Sequence, residues 1–249
     1  MRRLLLALPL AALLPGALAA QGRPANEGVR IDYVEDSLPN GLKVIYHVDR
    51  STPVAAVDIW YNVGSKHEQP GRTGFAHLFE HMMFKGSRNV GDGRHFALLE
   101  DAGARAGSDI NGTTWFDRTN YFEQVPSNQL ELALWLEADR MGTLLETLTP
   151  EKLDNQREVV KNERRQGVDN QPYGTWLEKL LPRGFPAGHP YSHTVIGSME
   201  DLSAASVDDV KNFFRTYYAP NNAVLVVAGD IDVEQAKALV RKHFADIPR

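Results

Sequence analysis

Residues 54–84 read VAAVDIWYNVGSKHEQPGRTGFAHLFEHMMF, and the order of local structures encoded there sets the fold class. Val54 to Val63 is rich in β-branched and aromatic residues and predicts a strand. Gly64 to Gly74, with Pro70 and three glycines, predicts a polar loop. Thr73 to Phe84 then predicts a helix, ended by Gly86.

Upstream, Arg30 to Val34 is a short candidate strand. Pro39-Asn40-Gly41 is a turn signal before the alternating run Leu42 to Val48, which pairs with Val54 to Val63 as a hairpin or as neighbouring strands of one sheet. Downstream, His95 to Ala102 is helical, and Ser108 to Val125 is strand-like with a turn at Asp117-Arg118. Ser127 caps a helix to about Leu145, and Thr149-Pro150 starts another that runs to about Gly167, with proline where a missing N–H does no harm. Tyr173 to Leu181 is a short helix and Pro182 to Ser198 an irregular loop. Ser206 and Asp209 form a capping box for a helix to Tyr217, Ala223 to Ala228 is a buried strand, and Val233 to Phe244 is the last helix. There is no internal repeat. The fold expected is α+β, a mixed and mainly antiparallel sheet with helices packed on one face.

The 249 residues, 43% hydrophobic and 24% charged, can bury a real core. The net charge of −5 is spread along the chain without a basic block, which argues against nucleic acid as a partner. Residues 1–20 carry the marks of an export signal: Arg2 and Arg3, the apolar stretch Leu4 to Leu14, and Ala17-Leu18-Ala19 as a small-x-small cleavage site. A membrane anchor is the competing reading, but Leu4 to Ala20 contains Pro9, Pro15 and Gly16 and is shorter than the roughly 20 apolar residues of a spanning helix. The expected organisation is a signal peptide over 1–20, a flexible segment over 21–29 and one domain over 30–249, exported to the periplasm or secreted. With no cysteine, stability must come from the core and any bound metal, and a metal site must use His, Asp or Glu.

The string His77-Leu78-Phe79-Glu80-His81 supplies such a site. On a helix His77 and His81 lie one turn apart on one face with Glu80 beside them, so two imidazoles can hold one zinc and the carboxylate can act as general base. An amphipathic helix with these histidines on its wet face and Leu78, Phe79, Met82 and Met83 in the core is the plainer alternative. His189 and His193 share the four-residue spacing, but Pro190 and the glycines around them predict a loop. His47, His67, His95 and His243 each stand alone.

The context is specific. The segments NGLKVIYHVDRSTPVAAVDIWYNVGS (40–65), GRTGFAHLFEHMMFKGS (71–87), NGTTWFDRTNYFEQVP (111–126), REVVKNERRQ (157–166), HPYSHTVIGSMEDL (189–202) and YAPNNAVLVVAGDID (218–232) resemble, in order, those of the pitrilysin and insulinase superfamily of inverted-motif zinc peptidases, and most closely its bacterial mitochondrial-processing-peptidase-like members. The resemblance implies one zinc per chain on His77, His81 and a downstream glutamate, with Glu80 as base. It also implies that Asn111, in Asn111-Gly112-Thr113-Thr114, hydrogen-bonds substrate backbone beside the metal; the competing role is a turn residue before a strand. Gly112 stands where many relatives have alanine.

Two glutamates compete as third ligand. Glu158 fits the family's usual spacing from His81, whereas Glu163 directly follows the V-V-x-x stretch Val159 to Asn162, and the longer gap to it can be absorbed by extra residues around Ala104 to Ser108. Five apart on a helix, the two point about 140° away from each other, so only one can serve. Glu163 is the preferred assignment; the supporting glutamate that relatives often carry seven residues earlier is here Gln156. The resemblance further implies a peptide substrate and a second peptidase-like domain or subunit that closes around it. A non-catalytic scaffold or partner subunit, or a metal-free exported binding protein, is the alternative function.

Overall fold

The computed structural model describes residues 30–249, of which Asp32–Arg249 form one compact unit. The expected signal peptide and the expected flexible segment, residues 1–29, lie outside the described residues. Six strands build the sheet: β1 (Val34–Ser37), β2 (Lys43–Val48), β3 (Val54–Tyr61), β4 (Ile110–Thr114), β5 (Thr119–Pro126) and β6 (Ala223–Gly229). Their spatial order is β1-β2-β6-β3-β5-β4, and every pair is antiparallel except β2 with β6. The sheet is thus mixed and mainly antiparallel, as expected, and β1 starts at Val34, where the expected first strand ends.

The expected pairing of β2 with β3 is corrected. Strand β6 lies between them, parallel to β2 (Ile45 opposite Val226) and antiparallel to β3 (Val57 opposite Val227). The link between β2 and β3 therefore crosses the end of β6, where Asp49 N donates to Gly229 O (2.8 Å) and Asp230 N to Val54 O (2.8 Å). Gly229 makes the crossing possible: its φ is +118°, and a Cβ there would lie 2.2 Å from Val54 O. The physical reason for the miss is distance along the chain, because the strand that intervenes lies far downstream and local turn signals carry no record of it.

Alternation along β3 gives the sheet two unlike faces. Ala55, Val57, Ile59 and Tyr61 are fully buried, whereas Ala56 and Asp58 are half-buried and Trp60 is exposed. Helices cover the first face: α1 (Phe75–Met82) packs on β4, and α3 (Leu130–Thr143) packs on β3 and β5. Helix α2 (Arg94–Asp101) rests on α3, α4 (Pro150–Arg164) on α1, and the last helix, α8 (Val233–Phe244), on α3. Between α4 and α8 come α5 (Trp176–Gly184), α6 (Met199–Ala204) and α7 (Val207–Tyr217). Helix α7 carries the expected capping box, with Asp209 N donating to Ser206 Oγ (3.1 Å) and Ser206 N to Asp209 Oδ2 (3.1 Å). Pro182, expected to open the loop, lies inside α5, where the helix ends two residues later and so forfeits little. Helix α6, capped by Ser198, is additional to the expected elements.

Between α3 and β5 the core contains an ionic cluster. Arg140 is buried, donates to Glu123 Oε1 (3.1 Å) and to Glu137, and lies over the rings of Tyr121 and Phe84 at 4.5 and 4.9 Å. Burial and the neighbouring Glu137 push the Glu123 carboxyl well up. Removing one member of such a cluster strands the others without solvent. Arg140→Met is expected to cost about 3–5 kcal/mol in urea denaturation, while adding Glu123→Gln and Glu137→Gln should restore much of the loss.

Candidate metal centre

Helix α1 is seated by its apolar side. Phe75, Leu78, Phe79 and Met82 are buried, and the Phe79 ring lies 4.3 Å from that of Tyr218, so His77 and His81 are left facing away from the sheet. The start of the helix is fixed by a residue that sequence reasoning missed. Gly74, at the N-cap, has no side chain to offer, and the buried Glu68 carboxylate takes the free amides instead, from Gly74 N at 2.9 Å and Ala76 N at 2.8 Å. An anion there also suits the helix dipole. His193 Nε2 approaches the same carboxylate at 3.0 Å and ties the 185–198 loop to the helix. Nothing in the local pattern of Glu68 distinguishes it from the other polar residues of its loop.

Helix α4 brings the third group. Thr149 caps it, Pro150 opens it, and it runs to Arg164 before widening into a single π turn over Arg165–Asp169. Arg164 is clamped to Gly197 O (2.8 Å) and to Glu178 of α5, which anchors the turn that bears Glu163. The structure brings His77, His81 and Glu163 together. His77 Nε2 lies 3.3 Å from His81 Nε2, and Glu163 Oε2 lies 3.7 Å from the first and 3.3 Å from the second. Glu158 points elsewhere, holding Lys161 Nζ at 3.0 Å, and Gln156 is buried with its amide nitrogen donating to Asn155 Oδ1 at 2.7 Å.

These distances can be tested against a metal. A tetrahedral zinc with bonds of about 2.0–2.1 Å sets its ligand atoms about 3.3–3.4 Å apart. Two of the three separations match and the third exceeds it by a few tenths of an ångström. Protonation favours ligation at His77 and Glu163, whereas His81 must give up a proton to bind a metal. Burial and the neighbouring His81 push His77 down to about 4, so its ring is neutral. Burial also disfavours the charged His81, but Glu163, together with the neighbouring Glu80 charge, raises that ring overall; the hydrogen bond from His81 in turn holds Glu163 low.

Glu80 stands beside the triangle, not in it. It is buried, its Oε2 accepts from Thr114 Oγ1 at 2.5 Å, and burial raises its carboxyl while that hydrogen bond lowers it. Thr114 is a second residue that the sequence pattern did not single out, because the contact joins a helix to a strand. Gly112 lets the strand close on the carboxylate: a Cβ there would sit 2.9 Å from Glu80 Cγ and 3.1 Å from Tyr121 Cδ1. Asn111 lies within β4, not in a turn before it, with its amide nitrogen donating to Gly107 O (3.3 Å) and its oxygen accepting from Gly112 N (2.9 Å).

A second group, His95, Glu123 and Glu137, is close enough to hold an ion, but Arg140 already occupies the position of the cation. His189 stacks on Phe185 at 4.7 Å and His193 is engaged by Glu68, so each serves the loop in which it was expected.

Residues 43–198 match the family described as Insulinase (Peptidase family M16), and residues 204–249 match the description Peptidase M16 inactive domain. The chain belongs to this peptidase family. The second match does not mark a separate body here, since it includes β6, at the centre of the sheet. The chain is 35% identical to the zinc protease PqqE of Helicobacter pylori over 85% of this chain and 46% of that one. It is 30% identical to the probable zinc protease PqqL of Escherichia coli over 100% of this chain and 26% of that one. It thus spans less than half the length of these relatives. A solved protease from Helicobacter pylori superposes with a TM-score of 0.82 at 33% identity, covering 88% of this chain and 51% of that one. The first half of the periplasmic protease PqqL from Escherichia coli shares the fold, with a TM-score of 0.79 at 23% identity, over 88% of this chain and 47% of that one. Among the described residues no helix is long and apolar enough to cross a membrane.

The placement of the two glutamates has a direct check. In metal-free protein, Glu163→Gln should lower the His81 pKa because it removes the carboxylate that raises it, and Glu158→Gln should leave it unchanged. An NMR titration of the imidazole protons reads both.

Proposed function

We propose that this chain is the zinc-bearing half of an exported metalloendopeptidase that hydrolyses peptides or unfolded segments. The observation that carries the proposal is the triangle of His77 Nε2, His81 Nε2 and Glu163 Oε2, with edges of 3.3–3.7 Å and the Glu80 carboxylate beside it. His77, His81 and Glu163 would hold one zinc. When bound, zinc supplies a Lewis acid that polarises a carbonyl and makes water acidic near neutral pH.

The chain's own residues do the rest. Glu80, held by Thr114, takes the proton from the attacking water and delivers it to the leaving amine, and its burial strengthens it as a base. Asn111, on the outer strand next to this carboxylate, contacts the substrate backbone, and an extended substrate adds to the sheet edge there. A second peptidase-like domain or subunit closes over the site and excludes water, a reading supported by the span of the relatives, which are two to four times as long as the stretch matched. Export is supported by the pattern of residues 1–20.

Elemental analysis of purified protein should find one equivalent of zinc. His81→Ala and Glu163→Ala should leave less than about a tenth of it, and Glu158→Ala should keep it. A full equivalent in the His81 variant would remove the assignment.

Glu80→Gln in the full-length protein should retain zinc and lose at least about a thousandfold in kcat against a peptide library, since glutamine keeps the shape and cannot accept the proton. Loss of zinc along with activity would instead make Glu80 a ligand.

A further inference from the structure

Strand β4 is the outer strand beside the metal centre, and its free edge is largely taken. Trp115 N donates to Arg118 O (2.9 Å) and Gln124 N donates to Asp109 O (2.7 Å), so Asn111, Thr113 and Trp115 direct their main chain at β5, as does the carbonyl of Asp109, whose N–H donates instead to Arg105 O (2.9 Å). By alternation Ile110, Gly112 and Thr114 direct theirs outward. The turn just before the strand covers the first of these. Gly107 N donates to Ile110 O (3.0 Å) and Ile110 N donates to Arg105 O (3.2 Å), with Ala106 forming a parallel bridge to Ile110. The Asn111 side chain covers the next group, accepting from Gly112 N.

A clasp holds the turn in place. Arg105 Nε and Nη2 lie 2.7 and 2.9 Å from the two carboxylate oxygens of Asp109, and Arg105 N donates to the same side chain at 3.0 Å. The Arg105 hydrogen bonds hold the Asp109 carboxyl at about 2, so the clasp stays charged at any working pH. At the other end β4 leaves the edge for its hairpin turn, where Trp115 O and Phe116 O accept from Ser65 N (3.1 Å) and Lys66 N (2.9 Å). Three outward groups are left with no partner among the described residues: Gly112 C=O, Thr114 N–H and Thr114 C=O. They lie against Glu80, which touches Thr114 Oγ1 and fills the space beside Gly112.

We infer that the 105–109 turn is an edge stop that confines main-chain recognition of the substrate to a short window astride the reacting carboxylate. Alternate residues of an added strand bond to the edge, so three free groups engage two substrate residues separated by one. The substrate is then a short extended segment, and any grip on a longer one comes from surfaces other than β4. A covered edge also protects the chain from pairing with other strands. The inference rests on the peptidase reading, and its test separates the two.

The test uses the full-length, zinc-loaded protein, its Arg105→Ala variant and the Arg105→Ala/Asp109→Ala double variant, whose clasp is on the surface. Peptides with one scissile bond are lengthened a residue at a time at either end. For the unmodified protein KM should stop improving in one direction once the window is filled. For the double variant it should keep falling over about two further residues, by roughly five- to tenfold in total, as expected of one or two added main-chain bonds, with kcat unchanged. The same plateau in both proteins overturns the inference. Hydrogen exchange of the Ile110 amide reads the turn itself and should speed up by at least about tenfold in the double variant; unchanged exchange also overturns it. If no form cleaves any peptide, the peptidase reading falls, and the same length series measured by fluorescence anisotropy still decides whether the turn limits binding.

Discussion

The seating of helix α1 is the constraint on which the site depends. The helix has one apolar side, and burying Phe75, Leu78, Phe79 and Met82 against the sheet costs far less than leaving them wet, so its rotation is fixed. Once rotation is fixed, His77 and His81 must face α4, and Glu80 must face the edge strand. The axial position is set separately, by the Glu68 carboxylate on the first amides. A site that needs atoms positioned to within a few tenths of an ångström is thus held by hydrophobic burial in one direction and by hydrogen bonds in the other.

The supports of the three converging groups are unequal. The histidines sit on a helix clamped between the sheet and α4, while Glu163 is 44% exposed and lies one residue before a clamp, the Arg164 contacts to Gly197 and Glu178. The widening of the helix into a π turn immediately afterwards lies where such turns are commonly found, next to functional groups. Glu80 is tied to Thr114 and closely approached by Gly112, so its geometry is set from the strand side. Reactive carboxylate and edge strand are therefore one structural unit, which is why features of the edge, such as the turn over 105–109, bear on what the carboxylate can reach.

The sequence by itself determined a good deal. The strand, loop and helix order of residues 54–84 follows from alternation and glycine placement, and the caps at Thr149 and Ser206 follow from side chains that compete for free amides. The approach of His77 to His81 was legible because four residues make one helical turn, and that geometry is local. Family segments carried the preference for Glu163, whereas spacing alone favoured Glu158.

Tertiary structure decided what joins distant segments. It put β6 between β2 and β3, a placement enforced by the burial of an apolar strand on both edges and not by any turn signal. It turned α4 so that Glu163 meets the histidines while Glu158 meets Lys161, a rotation fixed by the buried Leu153, Gln156 and Val160. It joined Thr114 to Glu80, Glu68 to the start of α1, and Arg140 to two buried glutamates. Such contacts are pairings between elements; periodicity fixes the face a side chain occupies on its own helix or strand, and only packing decides what that face meets.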